Sequence, residues 1–222
     1  MNYSEIEKLF EQNRDTQNAI KMSAYMRDQF KFYGISSAAR KNLYKDFLKK
    51  VKLSKTIDWE FLEKCWSSDY REFQYLALDY LMAMQKFLTY DDIEKLAGFA
   101  KSKQWWDTID SLDSIFGQIG LTDQRVDDLM LKWSTDPDFW FRRIAIDHQL
   151  SRREKTDKEL LAQIIKNNLG DKEFFINKAI GWSLREFSKT DANWVRKFVA
   201  ENRSKMANLS VREALKNIGG EK

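Results

Sequence analysis

The sequence predicts an all-helical fold, specifically an α-solenoid of stacked helix pairs with a concave binding surface. Three observations predict it. Helix breakers are scarce: one proline, Pro137, and eight glycines in 222 residues, against abundant Leu, Lys, Glu and Ala. Short polar cues recur between apolar-periodic segments. A short pattern also repeats: Phe73-Gln74-Tyr75-Leu76-Ala77-Leu78, Phe141-Arg142-Arg143-Ile144-Ala145-Ile146, Phe175-Ile176-Asn177-Lys178-Ala179-Ile180 and Ser210-Val211-Arg212-Glu213-Ala214-Leu215. Its alanines stand at 77, 145, 179 and 214, so the last two intervals are 34 and 35 residues and the first is 68, twice 34. A constant period of that size, with one helix per unit and room for a second, is the signature of helix-pair repeats. The missing member should centre near Ser111. The reading is one HEAT-like domain over 1–222, with N-terminal helices and a cap over 1–52 and repeats of about 34 residues over 53–222.

Each helix is bounded by cues in order along the chain. They are Ser36-Ser37, Lys55-Thr56, Ser67-Ser68-Asp69, Thr89, Gly120-Leu121-Thr122, Asp136-Pro137-Asp138, Lys155-Thr156-Asp157, Gly170-Asp171, Thr190-Asp191 and Asn208-Leu209-Ser210. Several put Ser, Thr or Asp where an N-cap belongs. The segment Tyr25 to Ile35 mixes aromatic and basic residues and breaks at Gly34. It reads as a cap on the first repeat or as a loop that presses on a ligand.

Composition limits the function classes. The formal net charge of +4 permits a nucleic-acid partner without requiring one. Cys65 is the only cysteine and His148 the only histidine, so neither a disulfide framework, a thiol zinc site nor a Ser-His-Asp triad is expected. No apolar run approaches membrane-spanning length and the N-terminus is polar; the expectation is a cytoplasmic protein without membrane association. Cys65 reads as a small buried hydrophobe.

The repeat also sorts side chains by face. With each anchor at zero and about 100° per residue, Trp106 falls at about 220°, Asp110 at about 260°, Arg143 at about 160° and Trp182 at about 300°. Phe174 falls at about 220°, Lys178 at about 260°, Arg185 at about 240° and Arg212 at about 160°. All avoid the anchor side. Trp106 and Asp110 share one helical face, four residues apart; Trp105, at about 120°, reads as the packing member of the pair. Cations interleaved with aromatics suit phosphates and the flat faces of sugars and bases. The plain alternative is a solvated face with a packed tryptophan.

The chain resembles the AlkD-type DNA glycosylases, HEAT-like repeat proteins that excise alkylated purines. The resemblance is carried by Tyr25-Met26 with Phe32-Tyr33-Gly34-Ile35, by Arg71-Glu72-Phe73-Gln74, and by Trp105-Trp106-Asp107-Thr108-Ile109-Asp110-Ser111. It continues through Arg143-Ile144-Ala145-Ile146 with His148-Gln149-Leu150, Phe174-Phe175-Ile176 with Lys178-Ala179-Ile180-Gly181-Trp182 and Leu184-Arg185-Glu186, and Arg212-Glu213-Ala214. It runs in order over nearly the whole chain, and the Trp-Trp-Asp-Thr and Lys-Ala-Ile-Gly-Trp stretches are its most specific parts. It implies that Asp110 is the catalytic carboxylate, Trp106 and Trp182 the cleft tryptophans, Arg143 the phosphate-binding cleft arginine, and Tyr25 a residue approaching DNA from an N-terminal helix.

The implied activity is monofunctional hydrolysis of the N-glycosidic bond of N3- and N7-alkylpurines in duplex DNA, releasing bases such as 3-methyladenine and 7-methylguanine. It implies a monomer with no cofactor or metal, and no drawing of the base into a protein pocket. Further DNA contacts are expected from Phe174, Phe175, Lys178, Arg185, Arg152, Arg153 and Arg212. His148 is expected as a DNA contact or a hydrogen-bonded structural histidine. The chain departs from the family pattern at Ser36-Ser37-Ala38, where Gln and Pro are common, and at Asp113, where a neutral residue is expected. A catalytically silent DNA-binding solenoid and a protein-binding scaffold are the alternatives.

Overall fold

A computed structural model describes residues 1–218; the last residues of the expected 1–222 domain lie outside the described residues. The fold is all-α. Among the described residues, β pairing is limited to one isolated bridge, Lys31 with Tyr70. No described helix is long and apolar enough to cross a membrane. The chain divides into two compact units, Met1–Leu88 and a second that begins at Thr89.

The first unit holds α1 (Tyr3–Gln12), α2 (Thr16–Tyr25), α3 (Ser37–Leu43), α4 (Lys45–Ser54), α5 (Trp59–Ser67) and α6 (Arg71–Met84), with a 3₁₀ turn at Gln85–Phe87. Caps fix the starts: Asn2 and Glu5 form a capping box, and Asp15 and Asp58 accept the N–H of Asn18 and Phe61. Phe10, Tyr33, Tyr44 and Phe73 form an aromatic core.

The segment before α3 is packed rather than loose. Phe32, Tyr33 and Ile35 are buried, and the buried Glu72 carboxylate accepts the backbone N–H of Tyr33, Gly34 and Ile35 at 2.8–3.2 Å. Gly34 sits at φ +91°, and a Cβ there would lie 2.0 Å from the Asp15 carbonyl oxygen, so only glycine fits. Arg71-Glu72-Phe73-Gln74 is accordingly a structural motif. Gln74 Nε2 serves the carbonyls of Cys65, Trp66 and Ser68, and Cys65 is fully buried, its thiol pushed well up by burial.

The second unit holds α7 (Ile93–Ala100), α8 (Trp106–Gly120), α9 (Arg125–Trp133), α10 (Phe139–Asp147), α11 (Lys158–Asn167), α12 (Phe174–Phe187), α13 (Ala192–Asn202) and α14 (Asn208–Ala214), with 3₁₀ turns at Tyr90–Asp92 and Arg153–Lys155. Asp138, Asp157, Glu173 and Asp191 cap α10, α11, α12 and α13. Within this unit α8, α10, α12 and α14 pack in succession.

The period is visible in its hydrogen bonds. Asn168 bonds the Ser134 carbonyl, Ser183 bonds Asp147, and Ser210 bonds the Asn177 carbonyl, each across 33 to 36 residues. Ala77, Ala145, Ala179 and Ala214 are all fully buried. Ser111 is not: it is half-buried and its hydroxyl turns back onto the Asp107 carbonyl, while Leu112 beside it is fully buried. The close approach in α8 comes instead at Gly117, where a Cβ would lie 2.0 Å from the His148 carbonyl oxygen. The final expected break also moves. Asn208-Leu209-Ser210 lies inside α14, whose start at Ala207 has no side-chain cap; the Ser210 hydroxyl is spent on α12 instead.

Candidate active site

The candidate site lies in the second unit, where α8, α10 and α12 run side by side. Trp106 is the first residue of α8, preceded by the buried Trp105, whose ring packs against Trp140 and Phe175. That aromatic cluster sets the entry to the helix. One turn on, Asp110 leaves 19% of its side chain exposed. Arg143 of α10 is buried; its Nε donates to Asp110 Oδ1 at 2.8 Å, and its Nη2 forms an ion pair with the same oxygen at 2.8 Å. Its Nη1 donates to the Phe175 carbonyl oxygen at 2.8 Å. The Arg143 guanidinium carbon lies 6.0 Å from the centre of the half-buried Trp182 ring on α12, the outer limit of a cation–π contact. Asp110, Arg143 and Trp182 are thus brought together, with Trp106 one turn before Asp110 on its helix.

Behind this trio lie two acids that are fully buried. Asp113 accepts from the Ser114 hydroxyl through Oδ1, and its Oδ2 has no hydrogen-bond partner. Asp147 accepts from the Ser183 hydroxyl at 2.8 Å through Oδ1. Its Oδ2 is 3.7 Å from Arg143 Nη2 and makes no hydrogen bond. Oxygens of Asp110, Asp113 and Asp147 lie within 4.8 Å of one another. The Arg143 guanidinium already supplies positive charge among them, so the group reads as acids around an arginine rather than as a ligand set for a metal.

Burial governs the electrostatics. It raises the Asp110 carboxyl, opposed by Arg143. It raises Asp113 strongly, aided by the Asp147 and Asp110 charges, and takes Asp147 up to about 7 against the pull of Arg143. For Arg143, burial pulls down, but Asp147, Asp110 and Asp113 outweigh it and the guanidinium is held more firmly charged. Three buried or half-buried acids around one cation cannot all ionise cheaply.

The structure sorts the other expected DNA contacts. Phe174 is 55% exposed and Arg153 and Arg212 are exposed. Phe175 is half-buried, its ring packed among Trp105, Phe139 and Trp140. Arg152 is turned inward: Nη2 donates to the Gly117 carbonyl at 2.7 Å and Nη1 to Gln149. It braces α8 against the loop after α10, and burial lowers its pKa. Lys178 and Arg185 do not stand as open cations. Both pair with Glu213 of α14, Lys178 at 2.8 Å, and those bonds hold the Glu213 carboxyl low.

His148 is buried, with Nδ1 2.7 Å from the Ala145 carbonyl. Burial pushes its pKa down to about 3, which makes it a neutral structural histidine. In the first unit, Tyr25 is 71% exposed at the end of α2 and borders a pocket of about 210 Å³ lined also by Lys21, Met22, Met26, Phe32 and Tyr75.

Asp147, Ser183 and Glu213 are the residues of the site region to which the sequence reading gave no role. Spacing carried a signal for two of them. Asp147 is one turn after Arg143 and 34 residues after Asp113; Glu213 is 35 residues after Lys178.

Among curated proteins, none matches this chain. Solved structures do. A structure from Enterococcus faecalis, described as a predicted DNA alkylation repair enzyme, is 32% identical, with 93% of this chain and 97% of that one covered and a TM-score of 0.84. AlkD2 from Streptococcus mutans is 16% identical, covering 82% and 98% at a TM-score of 0.60. The smu.31 protein of Streptococcus mutans UA159 is 18% identical, covering 81% and 98% at 0.59; these two speak to the fold alone. The sequence profile of a family described as DNA alkylation repair enzyme matches residues 6–218, which takes in every helix from which the site is built, and the chain therefore belongs to the DNA alkylation repair family.

Proposed function

We propose that this protein is a monofunctional DNA glycosylase that hydrolyses the N-glycosidic bond of N3- or N7-alkylated purines in duplex DNA. The observation that carries the reading is the Asp110 carboxylate, part-exposed yet held through one oxygen by the buried Arg143, with Trp182 alongside. A purine alkylated at N3 or N7 is already cationic. It departs with the bond electrons as a neutral base, so the leaving group needs no general acid. Positive charge then develops on the sugar, as in glycoside hydrolysis. Asp110 stabilises that charge and orients the water that adds to C1′, while the indole faces of Trp106 and Trp182 favour the same cation. Arg143, expected from the sequence as a phosphate contact, is buried with its nitrogens on Asp110 and the Phe175 carbonyl, and in this reading it orients Asp110 beneath the nucleotide. The substrate needs no flip into a closed pocket, since the reacting groups sit on a part-exposed face. Phe174, Arg153 and Arg212 are the exposed side chains available to the DNA.

The test is base release from duplex DNA methylated to carry 7-methylguanine and 3-methyladenine, wild type beside Asp110→Asn. Loss of one such electrostatic contact costs on the order of 3 kcal/mol, about a hundredfold in rate. Release at the wild-type rate by the variant removes Asp110 from the chemistry. Salt-sensitive binding without release by the wild type would identify a silent DNA binder instead.

A further inference from the structure

Arg143 is shared unequally. Asp110 Oδ1 accepts from its Nε and stands 2.8 Å from its Nη2, whereas Asp147 Oδ2 stands 3.7 Å from Nη2 without a hydrogen bond. Asp147 is nonetheless held at its other oxygen by the Ser183 hydroxyl of α12, which lies 2.8 Å from both Asp147 Oδ1 and the Ile146 carbonyl oxygen. An Asp110 whose charge is matched by Arg143 is a poor partner for a developing sugar cation. Asp110 can act as an anion only if a second carboxylate takes part of the guanidinium's charge, and Asp147 is the buried acid within reach of Nη2. Ionised, it leaves Asp110, Arg143 and Asp147 with one net negative charge; protonated, it leaves them neutral.

We propose that Asp147 is a positioning residue for base excision, whose ionisation draws the Arg143 guanidinium off Asp110 and so releases Asp110 to stabilise the sugar cation. This rests on the glycosylase reading. The groups around Asp147 are few. From α8 come Asp110 and, next to it, Asp113; from α10 comes Arg143, with His148 neutral beside it; from α12 comes Ser183. Asp107 acts on Asp110. Asp127 of α9 and Asp157 before α11 act on Arg152, and Lys178 and Arg185 of α12 are taken by Glu213. Asp113 is raised by burial and by the Asp147 and Asp110 charges, so it and Asp147 do not both ionise cheaply.

The experiment is the pH profile of single-turnover release of 7-methylguanine from methylated duplex DNA between pH 5.5 and 8.5, with spontaneous loss subtracted. The wild-type rate should climb with pH, the logarithm rising toward a slope of about one, and level off above neutrality. Asp147→Asn should be flat at the wild type's low-pH rate. Ser183→Ala removes the hydroxyl that favours the Asp147 anion, and should move the wild-type midpoint upward by about half a pH unit or more. Circular dichroism reports folding; if Asp147→Asn does not fold, the Ser183→Ala midpoint decides. Release with a flat wild-type profile, or an unmoved midpoint in Ser183→Ala, overturns the proposal and leaves the glycosylase reading standing. Absence of release from the wild type at every pH overturns both.

Discussion

Replacing Asp113 by asparagine should stabilise this protein, and increasingly so as the pH rises. Asp113 is fully buried, its Oδ2 lacks a hydrogen bond, and burial together with Asp147 and Asp110 raises its pKa well above the ordinary value. An acid whose folded pKa exceeds its unfolded one holds its proton more tightly in the folded state. Its contribution is fullest below the unfolded pKa, about 3.9, and is lost as pH rises toward the folded value, at about 1.4 kcal/mol per pH unit.

Asparagine mimics the protonated acid and still offers an oxygen to the Ser114 hydroxyl. The stability difference, variant minus wild type, should therefore start small near pH 4 and grow by about 3 kcal/mol over two pH units in which the wild type must retain the proton. With a urea dependence of about 2–3 kcal/mol per molar, that is a midpoint shift of about 1 M or more. Urea titrations of both proteins at half-unit steps from pH 4 to 8, followed by tryptophan fluorescence, measure the difference directly. Every other titrating group, Asp147 included, cancels to first order in the comparison, because protonated Asp113 and asparagine are both neutral. A difference that is flat or falls with pH would refute the account of a proton held in the cluster.

The same logic runs the other way for His148, whose pKa falls to about 3 on folding. Its contribution is present above about pH 6.5 and is lost as pH drops toward the folded value, so His148→Asn should flatten the wild type's acid loss of stability in urea titrations between pH 6.5 and 4. Gly117→Ala places a Cβ 2.0 Å from the His148 carbonyl oxygen; overpacking of backbone against backbone should cost about 2–3 kcal/mol, read as a fall in Tm. Glu213→Gln should free Lys178 and Arg185 and steepen the salt dependence of DNA binding by about one to two in log–log slope, measured by fluorescence anisotropy between 50 and 200 mM salt.

The helical class and the period were legible because both rest on local chemistry. Breaker scarcity and capping residues act within a few positions, and four buried alanines report close helix approach wherever the chain repeats it. Ser111 shows the limit: equal spacing predicts a position, but the small residue that admits the neighbouring backbone is Gly117, and which residue meets which carbonyl depends on helix register. Ser210 shows another. A serine after an asparagine is a good cap on paper, yet the Asn177 carbonyl competes for its hydroxyl from 33 residues away.

The candidate site was legible where a side chain's chemistry is distinctive and hidden where it is cancelled. Trp106, Asp110, Arg143 and Trp182 follow from face arithmetic and motif together. Lys178 and Arg185 look on the same arithmetic like a basic track, and each is answered by Glu213, more than 25 residues distant. A charge seen in sequence carries its sign but not its counter-charge. The buried acids make the same point from the other side. Asp113 and Asp147 stand 34 residues apart, each two positions past its anchor, so the repeat that stacks α8 on α10 also stacks one carboxylate on the other. Two like charges at equivalent repeat positions are tolerable only if a proton or a cation lies between them. Arg143, also on the repeat, is that cation, and it is the one that holds Asp110. In the proposed mechanism, the grip on Asp110 is therefore set by acids that never reach the surface.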